Sequence, residues 1–187
     1  MFKKLPDLKY LKHLFELDYE SGILYWKNPP KNAPQLEGQV AGCVSPDSDG
    51  VERFRVTIDG KMYSRSRLNY YLYTGHDPVN HYVDHEHFPK TNDHISNLRL
   101  ATASENGANR KKSEGTTSKY KGVSWDKSRQ KWQAKINAHG KWIWLGRFDT
   151  EEEASDAYME RARMIFGEHA SDGLFVEDND FDPTTDF

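Results

Sequence analysis

Three runs in the second half of the chain constrain the fold more than anything else in it. Tyr120–Trp125, Lys131–Ala138 and Lys141–Phe148 each carry strand-forming residues, and short turn segments at Asp126–Gln130 and His139–Gly140 separate them. Connections this short join antiparallel neighbours. Thr150-Glu-Glu-Glu153 then has the form of an N-terminal capping box, and Ala154, Ala157, Tyr158, Arg161, Ala162 and Ile165 share one helical face that ends at Gly167. A three-stranded antiparallel sheet and one helix each have an apolar surface to bury and can bury it on the other, so residues 119–170 are expected to make a complete small domain.

The first half reads differently. Leu8, Leu11, Leu14, Phe15 and Leu17 have helical spacing up to the turn-rich Asp18–Gly22, which predicts a helix over 8–17 followed by a short strand within Gly22–Lys27. Pro29, Pro30, Pro34 and Pro46, with several Gly and Ser, predict a loop over 28–50. Arg53–Ile58 and Lys61–Arg65 flank Asp59-Gly60, the signature of a β-hairpin, and a helix is predicted over 67–73. The small polar run 113–118 predicts a linker between a region 1–112 and the domain 119–170. Residues 171–187 are acidic and aperiodic, and are expected to be a solubilising tail. The expected fold class is α+β.

Charge narrows the partners. The net charge of −3 conceals a partition, because residues 109–147 carry +9 and 149–187 carry −11. The basic residues of 109–147 are interleaved with Tyr120, Trp125, Trp132, Trp142 and Trp144, the mixture expected of a polyanion-binding face. The one cysteine, Cys43, excludes an internal disulfide or a Cys-based zinc site. No apolar run approaches the ~20 residues of a membrane helix, and the N-terminus has no signal-peptide core. A cytoplasmic protein of a bacterial or phage-infected cell is expected, with no membrane partner and no small-molecule substrate.

The densest reactive stretch lies between His81 and Arg99, and with part of the helix-compatible run that follows it reads VDHEHFPKTNDHISNLRLATASENGANR over residues 83–110. Its Asp84-His85 pair, Asn97-Leu-Arg run and Glu105-Asn-x-x-Asn stretch resemble the HNH nuclease motif of phage and intron-encoded homing endonucleases, in the variant with Asn last. The resemblance implies a ββα-metal finger around one divalent ion, Mg2+ or Mn2+, with Asp84 and Asn106 as metal ligands, and His85 and Asn97 as catalytic residues. Asn97 would tie down the loop and help to hold His85. Phosphodiester hydrolysis needs the same residue types. An imidazole near neutrality can take a proton from water, while a carboxylate and an amide oxygen are hard ligands that leave most of an octahedral shell open. Adjacent strand residues point to opposite faces, so Asp84 and His85 can share a site only where the hairpin twists or bulges. His87 and His94 are either auxiliary phosphate contacts or solvated loop residues. Arg99, Asn109 and Arg110 are further candidate DNA contacts.

Tyr120-Lys-Gly-Val123, Lys131-Trp-x-Ala-x-Ile136, Trp144-Leu-Gly-x-Phe148 and the Glu-Glu-Ala start of the last helix resemble the AP2-type domain of plant ethylene-response factors, over about 50 residues. That resemblance implies a sheet laid in the major groove of double-stranded DNA. Candidate contacts are Lys121, Lys127, Arg129, Lys131, Trp132, Lys135, Trp142, Trp144 and Arg147, with Trp132 and Trp144 equally able to be core. Together the two resemblances imply a metal-dependent DNA endonuclease, with products bearing 5′-phosphate and 3′-hydroxyl ends and a role in homing or mobile-element spread. A non-catalytic DNA-binding protein that retains the finger as scaffold is the alternative from another class, and an RNA-directed nuclease or binder is a third reading. The sequence leaves the oligomeric state open.

Overall fold

The computed structural model describes residues 3–47, 50–87, 89–109 and 115–171. They form two compact units, one ending at Leu100 and the other beginning at Ala101. Both mix helices with antiparallel sheets. Among the described residues no helix is long and apolar enough to cross a membrane.

In the first unit, α1 (Leu8–Leu14) is capped by the Asp7 carboxylate, which accepts from the Lys9 N–H at 2.9 Å. The helix predicted over 8–17 ends three residues early, because Phe15–Leu17 is a strand, β1, paired antiparallel with β2 (Leu24–Trp26). Phe15 and Leu17 satisfy a period of two as well as a helical one, and pairing with Trp26 and Leu24 decides the matter. The predicted loop over 28–50 holds a 3-10 turn at Pro34–Leu36 and a strand, β3 (Cys43–Pro46), which pairs with β4 (Glu52–Ile58). Pro46 hides β3 in the sequence, yet β3 lies at the sheet edge, where proline is tolerated. β4 and β5 (Lys61–Ser64) form the expected hairpin, with Asp59 and Gly60 both at positive φ (49° and 71°) as a two-residue type I′ turn requires. α2 (Arg65–Thr74) follows and ends at Gly75 in the left-handed region. Leu11, Leu14, Leu24, Val56, Ile58, Leu68 and Leu72 form the core that α1, α2 and the sheets enclose. β6 (Tyr82–His85) pairs with β7 (Leu98–Ala101).

The second unit starts with α3 (Ala103–Ala108), where Thr102 and Glu105 make a capping box. β8 (Val123–Asp126), β9 (Lys131–Ala138) and β10 (Lys141–Phe148) form an antiparallel sheet with β9 central. α4 (Glu151–Phe166) covers one face of it, opened by the capping box of Thr150 and Glu153. The alternating runs predict these elements, except that β8 begins at Val123 and not at Tyr120, because Gly122 takes a positive φ (71°) that ends the turn before the strand. α3 packs with this unit: Ala108 joins the cluster of Ile136, Ala138, Tyr158, Ala162 and Phe166. Lys121 Nζ donates to the carbonyls of Gly107 (3.0 Å) and Ala108 (2.5 Å), and the His139 N–H donates to Ser104 Oγ at 2.9 Å. The lysine thereby satisfies carbonyls that a helix C-terminus leaves open.

Gly122 shows how closely the sheet and α4 approach. Its φ is +71°, and a Cβ there would lie 2.3 Å from the Tyr158 ring and 2.6 Å from the Lys135 carbonyl oxygen. Burial by this packing pushes the Tyr158 phenol up to about 12. Gly140, in the β9–β10 turn, also has positive φ (+77°) but faces open space. Gly122→Ala is therefore expected to destabilise the unit by about 2–5 kcal/mol, against about 1–2 kcal/mol for Gly140→Ala. Urea denaturation of the two variants measures the difference.

Candidate functional site

α2 positions the first candidate site. Its Leu68 and Leu72 enter the core, while Arg65 and Asn69, four residues apart and so on a common face, are buried without being apolar. Buried polar groups must be paired. Both reach one loop. Arg65 Nε donates to Asp93 Oδ2 at 2.7 Å and its Nη2 to the Thr91 carbonyl at 3.2 Å. Asn69 Nδ2 donates to the carbonyls of Asp93 (3.1 Å) and Gly22 (2.7 Å). The guanidinium also lies 3.3 Å over the centre of the Phe54 ring. Burial lowers the Arg65 pKa from its ordinary value, and Asp93 opposes the shift.

The second oxygen of Asp93, Oδ1, is 2.7 Å from Nε2 of His85. The side chains of Arg65, Asp93 and His85 are each no more than 4% exposed, so the three form a buried chain of charge and hydrogen bond. His85 ends β6, and the preceding Asp84 is buried as well. The two side chains take different partners, as strand alternation requires. Asp84 Oδ1 is 3.5 Å from Lys90 Nζ, and Oδ2 is 3.6 Å from Nη2 of Arg99 on β7. Lys90 Nζ also donates to the His85 carbonyl at 2.7 Å and so ties both residues from one side. Burial lowers the Lys90 pKa, with the Asp84 carboxylate pulling the other way.

Asn97 closes the loop between the strands. Its Oδ1 accepts from the His87 N–H at 2.7 Å, and its Nδ2 donates to the Asn92 carbonyl at 2.9 Å. His94 caps the 3-10 turn Ile95–Asn97, its Nδ1 lying 2.7 Å from Ser96 Oγ, whereas His87 is exposed. Asn106 lies half-buried on α3, and Asn109 ends that helix. Arg110 falls outside the described residues.

Asp84 offers the hard oxygen donor that a divalent cation takes, and its two oxygens are turned to Lys90 and Arg99, which a cation would have to displace. Among the described residues no three His, Cys, Asp or Glu side chains converge as metal ligands. A cation here would keep much of its shell as water and phosphate oxygens, as Mg2+ does. Sequence reasoning passed over Asp93, Arg65 and Asn69. Asp93 is one acid in a uniformly polar stretch, and a basic residue at the end of a hairpin reads as solvated. Only the helical spacing of Arg65 with Asn69, beside the apolar Leu68 and Leu72, carried a signal.

The second candidate site is the outer face of the sheet in the second unit. Along β9, Trp132, Ala134, Ile136 and Ala138 face α4, leaving Lys131, Gln133, Lys135 and Asn137 outward. β10 presents Trp142 and Trp144 outward, 66% and 50% exposed, with Ile143 and Leu145 inward. Simple alternation would then turn Arg147 inward. A bulge between Trp144 and Gly146 inserts Leu145 as an extra residue and restores Arg147 to the outer face, opposite Gln133. Gly146 accepts the φ of +135° that the bulge needs.

Each exposed indole is paired with a cation. Lys135 Nζ lies 4.8 Å from the Trp142 ring centre, and the Arg147 guanidinium 4.9 Å from that of Trp144. Asp126 accepts from Arg147 Nε at 3.0 Å and from Ser128 Oγ at 2.7 Å, and these bonds, Ser128 first, hold its carboxyl at about 2. Lys131 pairs with Asp149. Ser128, Arg129, Lys131 and Arg147 line an open depression beside the β8–β9 turn, and Lys127 belongs to the same turn. Trp132, by contrast, packs with Val123, Ala134 and Ala154 and meets Trp125 edge-on at 5.1 Å. Lys121 directs its ammonium to α3.

Comparison with known proteins agrees with this division. Residues 118–168 match the AP2 domain family, so the second unit contains an AP2 domain, which indicates DNA binding. Over 64 residues the chain is 42% identical to Protein 3.8 of Escherichia phage T7, covering 34% of this chain and 53% of that one. Over 127 residues it is 35% identical to an uncharacterized HNH endonuclease, L560, of Acanthamoeba polyphaga mimivirus, covering 65% of this chain and 63% of that one. The chain thus spans between half and two thirds of the lengths of these relatives. No solved structure matches.

The two classes of tryptophan should separate experimentally. Trp142→Ala is expected to change stability by less than about 0.5 kcal/mol while weakening DNA binding several-fold. Trp132→Ala is expected to cost about 3 kcal/mol, because it empties a packed position. Thermal unfolding and fluorescence anisotropy with a labelled duplex measure both.

Proposed function

We propose that the chain is a metal-dependent DNA endonuclease of the HNH type, with its catalytic residues in the first unit and its grip on duplex DNA in the AP2 domain. The observation that carries this reading is the burial of Asp84 and His85, two adjacent ionisable residues. Burying such a pair is costly, and the fold commits Lys90, Arg99, Asp93 and Arg65 to holding it. A surface dipeptide needs no such support. The 35% identity to a protein named as an HNH endonuclease points the same way.

In this reading His85 accepts the proton of the attacking water. Asp84 in the first unit would be a ligand of Mg2+ or Mn2+, which when bound would offset charge building on the phosphoryl and leaving oxygens, and Asn106 is the other ligand that the motif assigns. Asn97 fixes the loop between the strands through its bonds to His87 and Asn92. Arg99, with Nη2 and Nη1 at 3.6 Å from Asp84 and 3.9 Å from Glu86, offsets the two carboxylates that an approaching phosphate would otherwise meet. On the sheet, Lys135, Trp142, Trp144 and Arg147 contact DNA, with Lys127, Arg129 and Lys131 beside them. Two outward arginines among more numerous lysines make the affinity mainly phosphate-driven and salt-sensitive. The products carry 5′-phosphate and 3′-hydroxyl ends, and the setting is the spread of a mobile element in a phage or bacterial cell.

Incubation with supercoiled DNA at low salt tests the reading. Nicking is expected with Mg2+ or Mn2+ and not with EDTA. His85→Ala should lower the rate by at least about 100-fold, and Asn106→Ala should raise the metal concentration required. A His85→Ala protein that nicks as fast as wild type would overturn the catalytic assignment. DNA binding without nicking under any metal would leave a non-catalytic DNA-binding protein.

A further inference from the structure

We propose that Asp93 is the positioning residue for His85, fixing which ring nitrogen carries the proton, and that Arg65 in turn dictates how Asp93 does so. The proposal rests on the reading of His85 as general base. A neutral imidazole has one N–H and one lone pair. The ionised carboxylate 2.7 Å from Nε2 can only accept, so the proton resides on Nε2 and the basic lone pair on Nδ1.

Asp93 has little freedom to do otherwise. Its other oxygen is held by Arg65 Nε at 2.7 Å, and its backbone carbonyl by Asn69 at 3.1 Å. Arg65 is itself pinned over the Phe54 ring and to the Thr91 carbonyl. On the far side, the turn at Gly22 presses on the next residue, where a Cβ on Gly22 would lie 2.5 Å from His94 Cα. The loop is thus seated from two directions, and the carboxylate bridges one obligate donor, the guanidinium, and one selectable group, the imidazole.

That asymmetry gives a specific consequence for Asp93→Asn. An arginine can only donate, so the amide oxygen of the substituted side chain must turn to Arg65 and the amide NH2 to His85. The imidazole then has to accept at Nε2, and its proton moves to Nδ1, the nitrogen needed as base. A residue that merely held the loop would have no such effect on the ring.

The experiment uses the full-length protein labelled with 15N-histidine. Long-range 15N–1H correlation spectra report the His85 tautomer, with the His85→Ala spectrum assigning its signals. Wild type is expected to show the Nε2–H form and Asp93→Asn the Nδ1–H form. Metal-dependent nicking should fall at least 100-fold in Asp93→Asn while duplex affinity stays within twofold. The double variant Arg65→Met/Asp93→Asn frees the amide to offer its oxygen to His85, removes the unpaired buried cation, and should regain the Nε2–H form. An Nε2–H tautomer in Asp93→Asn would overturn the proposal, and so would a reversed tautomer with undiminished nicking. If wild type itself nicks nothing, the nuclease reading fails, while the tautomer comparison still decides whether Asp93 controls the ring.

Discussion

The first unit depends on a cation carried into its interior. Arg65 begins α2, where a solvent-facing side chain would cost nothing, and instead lies buried between the Phe54 ring and the Asp93 carboxylate. A buried ion pair is weak evidence for stability, because desolvation offsets most of the attraction. Such a pair does fix geometry. Once Arg65 and Asn69 hold the Asp93 loop against α2, the Asp93 carboxylate is set beside the His85 ring. The apolar side of α2 secures the helix that does this, through Leu68 and Leu72. Core packing and polar site are therefore two faces of one ten-residue helix.

The second unit solves a different problem, that of displaying aromatic rings on a sheet face without losing the sheet. Trp142 and Trp144 are exposed to an extent that is unusual for their size, and the adjacent Lys135 and Arg147 keep them from forming a purely apolar patch. The bulge at Leu145 is the device that makes this arrangement possible, because it reverses alternation late in β10 and sends Arg147 outward while Phe148 still packs inward. Asp126 then aligns Arg147 from the neighbouring turn. The result is a face on which polar donors and flat rings alternate, in the domain that indicates DNA binding.

Much of this was legible in the sequence, and for physical reasons. Strands of strict alternation joined by tight turns leave few alternatives, so β9, β10 and α4 fall where the pattern places them, as does the β4–β5 hairpin around Asp59-Gly60, whereas β8 begins three residues later than Tyr120. Where two periods coincide, as in Leu14, Phe15 and Leu17, the sequence cannot choose between helix and strand, and pairing with β2 chooses. β3 was hidden because proline and glycine are read as loop wherever edge strands tolerate them. Asp84, His85 and Asn97 stood out through their types and spacing. Asp93 and Arg65 did not, since a buried ion pair 28 residues apart leaves no local pattern. The inward packing of Trp132 against the outward display of Trp142 follows from the β9–β10 register, and only the outward turn of Arg147 waits on locating the bulge.

The central claim is that cleavage and duplex binding reside in different residues of the chain. Its most direct test is to measure single-turnover nicking at saturating protein and duplex affinity side by side, for His85→Ala and for the double variant Trp142→Ala/Arg147→Ala. The account predicts a crossed result: the first variant keeps wild-type affinity and loses cleavage, and the second loses affinity about tenfold or more yet cleaves at close to the wild-type rate once bound. Loss of both properties in each variant, or cleavage retained by His85→Ala, would contradict it.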